Sequence, residues 1–172
     1  MQKKERIITT NIKISNGDIT RFLASFNNFG VKSFSPKDIK GTLSLAASIS
    51  GILNEKRDLD MKSISGDMKF NVKNGSLSNF APIIKIGKTA FPNRDVKNIT
   101  FSDLAGNSSV KGSLIHLKDL KITSNVLNLD ATGVYSLTNS GTNLALRITL
   151  RNPKEDYKIS DLKEREAVRY KG

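Results

Sequence analysis

Apolar and polar residues alternate along most of this chain. Ile12 and Ile14 stand between Asn11, Lys13 and Ser15, and Leu43, Leu45, Ala47 and Ile49 are separated by Ser44, Ala46 and Ser48. The same rhythm returns in Met68, Phe70 and Val72, in Leu127, Leu129 and Ala131, and in Leu144, Leu146, Ile148 and Leu150. A period of two places one set of side chains on one face of a strand and the other set on the opposite face. Asn16-Gly17, Asn74-Gly75 and Asn139-Ser140-Gly141 supply residues that tolerate positive φ, and are expected to be turns between strands. The pattern predicts a mainly β, antiparallel protein whose strands bury one face.

Two segments change period. After Asp18, placed to cap a helix, Ile19, Phe22, Leu23 and Phe26 fall at helical spacing until Gly30. Ser78 is expected to cap a second, shorter helix through Ile83, Ile84 and Ile86, with Pro82 in its first turn. Both helical segments follow an Asn-Gly pair, and this reveals a repeat. Ile12 to Phe22 superimposes on Phe70 to Phe80 at an offset of 58, apolar on apolar throughout. Phe34 to Lys40 then superimposes on Phe91 to Lys97 at an offset of 57. Each unit reads strand, Asn-Gly, short helix, Phe-x-x-basic-Asp-aliphatic-Lys, strand. Units of this size stack on their neighbours because one alone cannot bury its apolar face.

Charge and composition narrow the chemistry. The 172 residues carry 28 Lys+Arg against 16 Asp+Glu, a net charge of +12, with one His, no Cys and no Trp. Without cysteine there is no disulfide, thiolate nucleophile or cysteine zinc site. His116 stands in an alternating segment near Asp119, where a solvent-facing strand residue is expected. No G-x-S-x-G elbow occurs, and Gly106 to Gly112 lacks the Gly-Lys-Ser/Thr ending of a phosphate loop. Asp58, Asp60 and Asp156 lack calcium-loop spacing. No catalytic residue, metal ligand or cofactor is therefore assigned, and the chain is expected not to be an enzyme. Lys and Arg are scattered, with no aromatic-basic motif and no Arg-rich recognition helix, so no specific nucleic-acid partner is expected. An anionic membrane surface is the more compatible partner for this charge. The Phe-rich segment, with Phe22, Leu23, Phe26 and Phe29, suits a membrane-surface contact, a groove plug or docking on the sheet, and docking is the expected role.

Several stretches resemble AsmA-like C-terminal regions, in the manner of Bacteroidetes members. Ser65 to Pro82 is similar to the family's G-x-φ-x-φ-x-x-G-x-L-x-x-F-x-P stretch, and Leu127 to Tyr135 to its φ-x-φ-x-G-x-φ strand. Asp95 to Leu104 and Ile115 to Ser124 add to the likeness, which spans Asn11 to Asp156. The resemblance implies a periplasmic β body, curved into a groove, belonging to a parent protein anchored in the inner membrane. It also implies a role in phospholipid transfer between membranes and in outer-membrane homeostasis. The expected organisation is a flexible segment over 1–10 and a repeated β region over 11–150. Within that region two units lie near 11–50 and 68–105, and a charged, truncated tail over 151–172 makes the chain a fragment. The fold expected is a curved antiparallel sheet or groove of repeated units with two short helices packed on it. Acyl chains would meet Ile12, Ile14, Leu43, Leu45, Phe70, Val72, Leu127, Leu129, Leu144, Leu146 and Ile148, with the remaining parts of the parent protein as further partners. The alternative is a structural or adhesive module that binds a protein partner along a sheet edge.

Overall fold

Each strand pairs antiparallel with the next one in sequence, so the chain forms a single meandering sheet. The computed structural model describes residues 6–30, 34–54, 56–90, 95–138, 141–150 and 164–171. Among these, the strands are β1 (Arg6–Asp18), β2 (Ile39–Leu53), β3 (Leu59–Ser78), β4 (Asn98–Lys111), β5 (Leu114–Ser124), β6 (Leu127–Ser136), β7 (Asn143–Leu150) and β8 (Glu164–Lys171). Their order in the sheet is their order in the chain, which leaves β1 and β8 at the edges. Helix α1 (Ile19–Ser25) joins β1 to β2, and α2 (Ala81–Ala90) joins β3 to β4. Because the sheet is a meander, both helices lie at the same end of it.

The two Asn-Gly pairs are bulges inside strands, which corrects the expectation of turns. Between Ile14 and Gly17, β1 advances three residues while its partner advances two, from Leu45 to Leu43. Between Lys73 and Ser76, β3 does the same against Thr42 and Lys40. Asn16 and Asn74 take up the extra residue at φ 56° and 50°. The left-handed conformation that suits a turn also suits a bulge, which bends and twists the strand without ending it. The glycine after Asn74 is required by space. A Cβ on Gly75 would lie 2.2 Å from the carbonyl oxygen of Lys40 and 2.4 Å from the Phe101 ring.

Beyond each bulge the two units stay parallel in design and differ in detail. Asp18 caps α1 by accepting from the backbone N–H of Arg21 at 2.9 Å. The second unit uses another device. Ser78 is the last residue of β3, paired with Asn98, and so does not cap the helix as expected. The chain turns instead at Asn79, whose φ is 55° and whose N–H donates to Lys97 O at 2.9 Å. In the first unit Ser35 and Asp38 form a reciprocal capping box around a single 3-10 turn. The equivalent Asp95 accepts from the Lys97 N–H at 2.9 Å, while Phe91 to Arg94 lie outside the described residues. Ile19 and Leu77, equivalent in the repeat, are both buried, as are Ile39 and Val96. Phe34 of the first unit meets Phe80 of the second edge-on at 5.6 Å, so the units also touch through their connections.

The strands reach further than the pattern indicated at both ends. β1 extends back to Arg6, paired with Leu53, so 6–10 are strand. Glu164 to Lys171 pair with β7 as an eighth strand, within the segment expected to be a tail without one. The Asn139-Ser140 portion of the third turn motif lies outside the described residues.

Burial shows how the sheet is shaped. Among the described residues eighteen apolar side chains form one buried cluster, most of them from the strands themselves. Among the described residues no second sheet covers them. A flat single sheet cannot hide a valine completely, yet Val72 is 0% exposed. The inward side chains of different strands must therefore pack on one another across a curved sheet, with the helices closing one end.

Candidate functional site: the apolar face of the sheet

Register converts the alternation into rows of side chains that cross the strands. The first row, nearest the helices, is Leu43, Val72, Leu104, Ile122, Leu129 and Ile148 on β2 to β7. The second is Ile14, Leu45, Phe70, Gly106, Leu120, Ala131 and Leu146. The third is Ile12, Ala47, Met68, Ser108, Leu117, Gly133 and Leu144. A fourth, towards the far end, is Thr10, Ile49, Gly66, Val110, Ile115 and Tyr135. Successive rows are about 7 Å apart, two residues of strand rise.

Packing density falls from the first row to the fourth. Every member of the first row is buried. In the second and third rows buried and half-buried residues mix, and in the fourth Thr10 is exposed and the rest are half-buried. Ile8, one step further, is 39% exposed. The cause lies in the sequence: the helix end receives Ile19, Ile39, Leu77, Ile83, Val96, Ile99 and Phe101 from the connections and the adjoining strand ends. Gly87 of α2 sits so close to Val96 that a Cβ there would fall 2.2 Å from a Val96 methyl. Among the described residues the far end has only hairpin loops, and the third row carries the small residues Ala47, Ser108 and Gly133.

All eleven residues expected to line a groove lie in or against this one cluster. Leu43, Leu45, Val72, Leu127, Leu129, Leu144, Leu146 and Ile148 are buried among their neighbours, 0–8% exposed. All but Leu144, which lies in the third row, pack towards the helix end, where neighbouring side chains fill the space. Ile12, Ile14 and Phe70 are half-buried. Phe70 marks the boundary: its ring passes over Gly106, where a Cβ would come within 2.9 Å of the ring carbons. Ala47, Met68 and Ile49 of the open half were not singled out from sequence, although they share the alternation of Leu43 and Phe70. Ser108 Oγ is buried without a hydrogen-bond partner among the described residues, in the row between Met68 and Leu117.

The opposite face is polar and paired. Lys118 Nζ meets Asp67 Oδ1 at 2.8 Å, and Asn71 donates to Asp103 Oδ1 at 2.6 Å. An open depression of about 240 Å³ is lined by Ala46, Asp67, Met68, Lys69, Asn107, Ser108 and Lys118. His116 is half-buried in β5, opposite Ser109 and Val134. Gly106 to Lys111 continue β4 rather than forming a loop. No group of three His, Asp or Glu side chains able to hold a metal ion occurs among the described residues. No helix there is long and apolar enough to cross a membrane.

The class that fold and face define is a one-sheet antiparallel β meander with a single apolar side, filled at one end. No family model, curated protein or solved structure matches the chain.

Proposed function

We propose that this chain is a non-enzymatic module of an AsmA-like envelope protein that holds phospholipid acyl chains against the open half of its apolar face. In that role it supports lipid transfer between membranes and outer-membrane homeostasis. The reading takes the periplasm, and a parent protein held in the inner membrane, from the sequence resemblance. The observation that carries it is the packing gradient across the four rows. A face meant only as a core would be covered at both ends, whereas among the described residues helices close this one at one end alone. Each methylene buried on the open half contributes about 0.8 kcal/mol. The filled rows keep the sheet curved; Ile12, Ala47, Met68 and Ile49 contact the tail, with Ile14 and Phe70 at the limit of its reach.

The test fills the space without burying a polar group. Ala47→Phe places a ring in the third row and should abolish binding of a fluorescent fatty acid while leaving the unfolding midpoint nearly unchanged. Native mass spectrometry of the wild-type chain should show co-purifying lipid that the variant lacks. Wild-type protein that binds no probe, or a folded variant that binds it equally, overturns the proposal.

A second reading rests on the edge strand. β1 pairs only with β2 among the described residues, and Ile7 and Ile8 are 74% and 39% exposed on it. Such an edge accepts an antiparallel strand from a protein partner. In that case Ile8→Pro abolishes partner capture and leaves acyl binding intact.

A further inference from the structure

The helix end of the sheet carries a second surface, independent of the trough. Arg21 on α1, Lys37 and Lys40 before and within the start of β2, Lys85 and Lys88 on α2, and Lys97 before β4 are all exposed. The meander brings them to one end of the molecule. Among the described residues of the helices and connections between β1 and β4, the acidic ones are Asp18, Asp38 and Asp95, each accepting from a backbone N–H. Among these described residues six cations outnumber three carboxylates that already shape loops. The ion pairs found among the described residues lie elsewhere, on Lys118 and Lys121.

An aromatic side chain stands at the same end. Phe22 and Leu23 pack against the buried cluster, as a helix docking on a sheet requires. Phe26, one turn on, is 49% exposed, its ring 5.2 Å from that of Phe22. The docking role expected for the Phe-rich segment therefore accounts for its first turn and leaves Phe26 at the surface. Exposed aromatic carbon at the same end of the sheet as lysines on flexible stems suits a bilayer interface: the ring enters the headgroup boundary and the ammonium groups meet lipid phosphates.

We propose that the helix end docks on an anionic membrane surface, with Phe26 inserted and Lys85 and Lys88 among its electrostatic contacts. The charge excess selects the partner, since a zwitterionic surface offers it no net attraction. Because this is the filled end of the sheet, docking there anchors the module and leaves the open half of the trough facing away from the contact.

The absence of Trp supplies a clean probe. In the full chain, Phe26→Trp should show blue-shifted emission with vesicles containing phosphatidylglycerol and no shift with pure phosphatidylcholine. Adding Lys85→Glu and Lys88→Glu should weaken vesicle binding at least tenfold, with unchanged circular dichroism. Reversing two lysines at the far end, Lys62→Glu with Lys111→Glu, should change it less than threefold. Equal losses from both pairs would mean attraction by overall charge and overturn the proposal, as would the absence of vesicle binding. An emission shift with duplex DNA matching that with vesicles also overturns it, because the surface would then be a nucleic-acid contact. None of these readings depends on acyl binding in the trough.

Discussion

Truncating the same side chain at the two ends of the apolar face measures the packing gradient directly. Ile148 lies in the first row, 3% exposed, paired with Leu129. Ile12 lies in the third row, half-buried, paired with Ala47. Ile→Ala removes the same three carbons at each site. At Ile148 the loss combines transfer free energy with a cavity that rigid neighbours cannot close, so about 3–4 kcal/mol is expected. At Ile12 a large part of the side chain already meets water and no closed cavity forms, so the cost falls to about 1 kcal/mol. Against a total stability of about 5–15 kcal/mol, both variants remain folded and measurable. Equilibrium unfolding in urea, followed by circular dichroism, gives the two costs at equal m-values. A difference of at least about 2 kcal/mol supports a face that is filled at one end and open at the other. Costs within about 0.5 kcal/mol of each other would refute the gradient.

Other substitutions probe single features of the fold. Gly75→Ala drives a Cβ into the Lys40 carbonyl oxygen and should destabilise by at least about 2 kcal/mol, read in the same urea titration. Ser108→Ala removes a buried hydroxyl without a described partner; thermal unfolding should show a neutral or slightly raised midpoint, since such a group costs about 1–3 kcal/mol to bury. Asp18→Ala deletes the α1 cap and should cost about 1 kcal/mol, with Asp18→Asn nearly neutral. Lys118→Ala breaks an ion pair whose side chains are 58% and 73% exposed; chemical denaturation should register less than about 0.5 kcal/mol.

How far the sequence revealed this arrangement depends on what a period of two encodes. It encodes the face, and Ile12, Leu45, Phe70, Leu129 and Ile148 all lie on the face their alternation assigned. It does not encode depth. Leu43 and Ile49 look alike in the pattern of β2, but one is buried and the other half-buried. That difference arises from side chains of α1, α2 and distant strands, which only the register of the sheet brings together. Strands whose inward slots hold small or polar residues were harder to see. Gly106 and Ser108 conceal the second half of β4, and Thr10 conceals the start of β1. In β8, Val168 and Tyr170 pair with Leu146 and Leu144, but the surrounding charges mask their spacing. The Asn-Gly pairs showed a different limit, because positive φ permits a hairpin or a bulge and only the partner strand decides between them. The repeat was legible because Ile19 and Leu77, or Ile39 and Val96, must occupy the same buried places in each unit.

Photocrosslinking with a diazirine-bearing fatty acid addresses the trough most directly, because it reports where a tail rests without altering the protein. After irradiation and peptide mass spectrometry, the account predicts adducts concentrated on Ile12, Ala47, Ile49 and Met68, suppressed by excess unlabelled phospholipid. Adducts spread over the polar face near Lys69 and Lys121, or none at all on a folded chain, would contradict it.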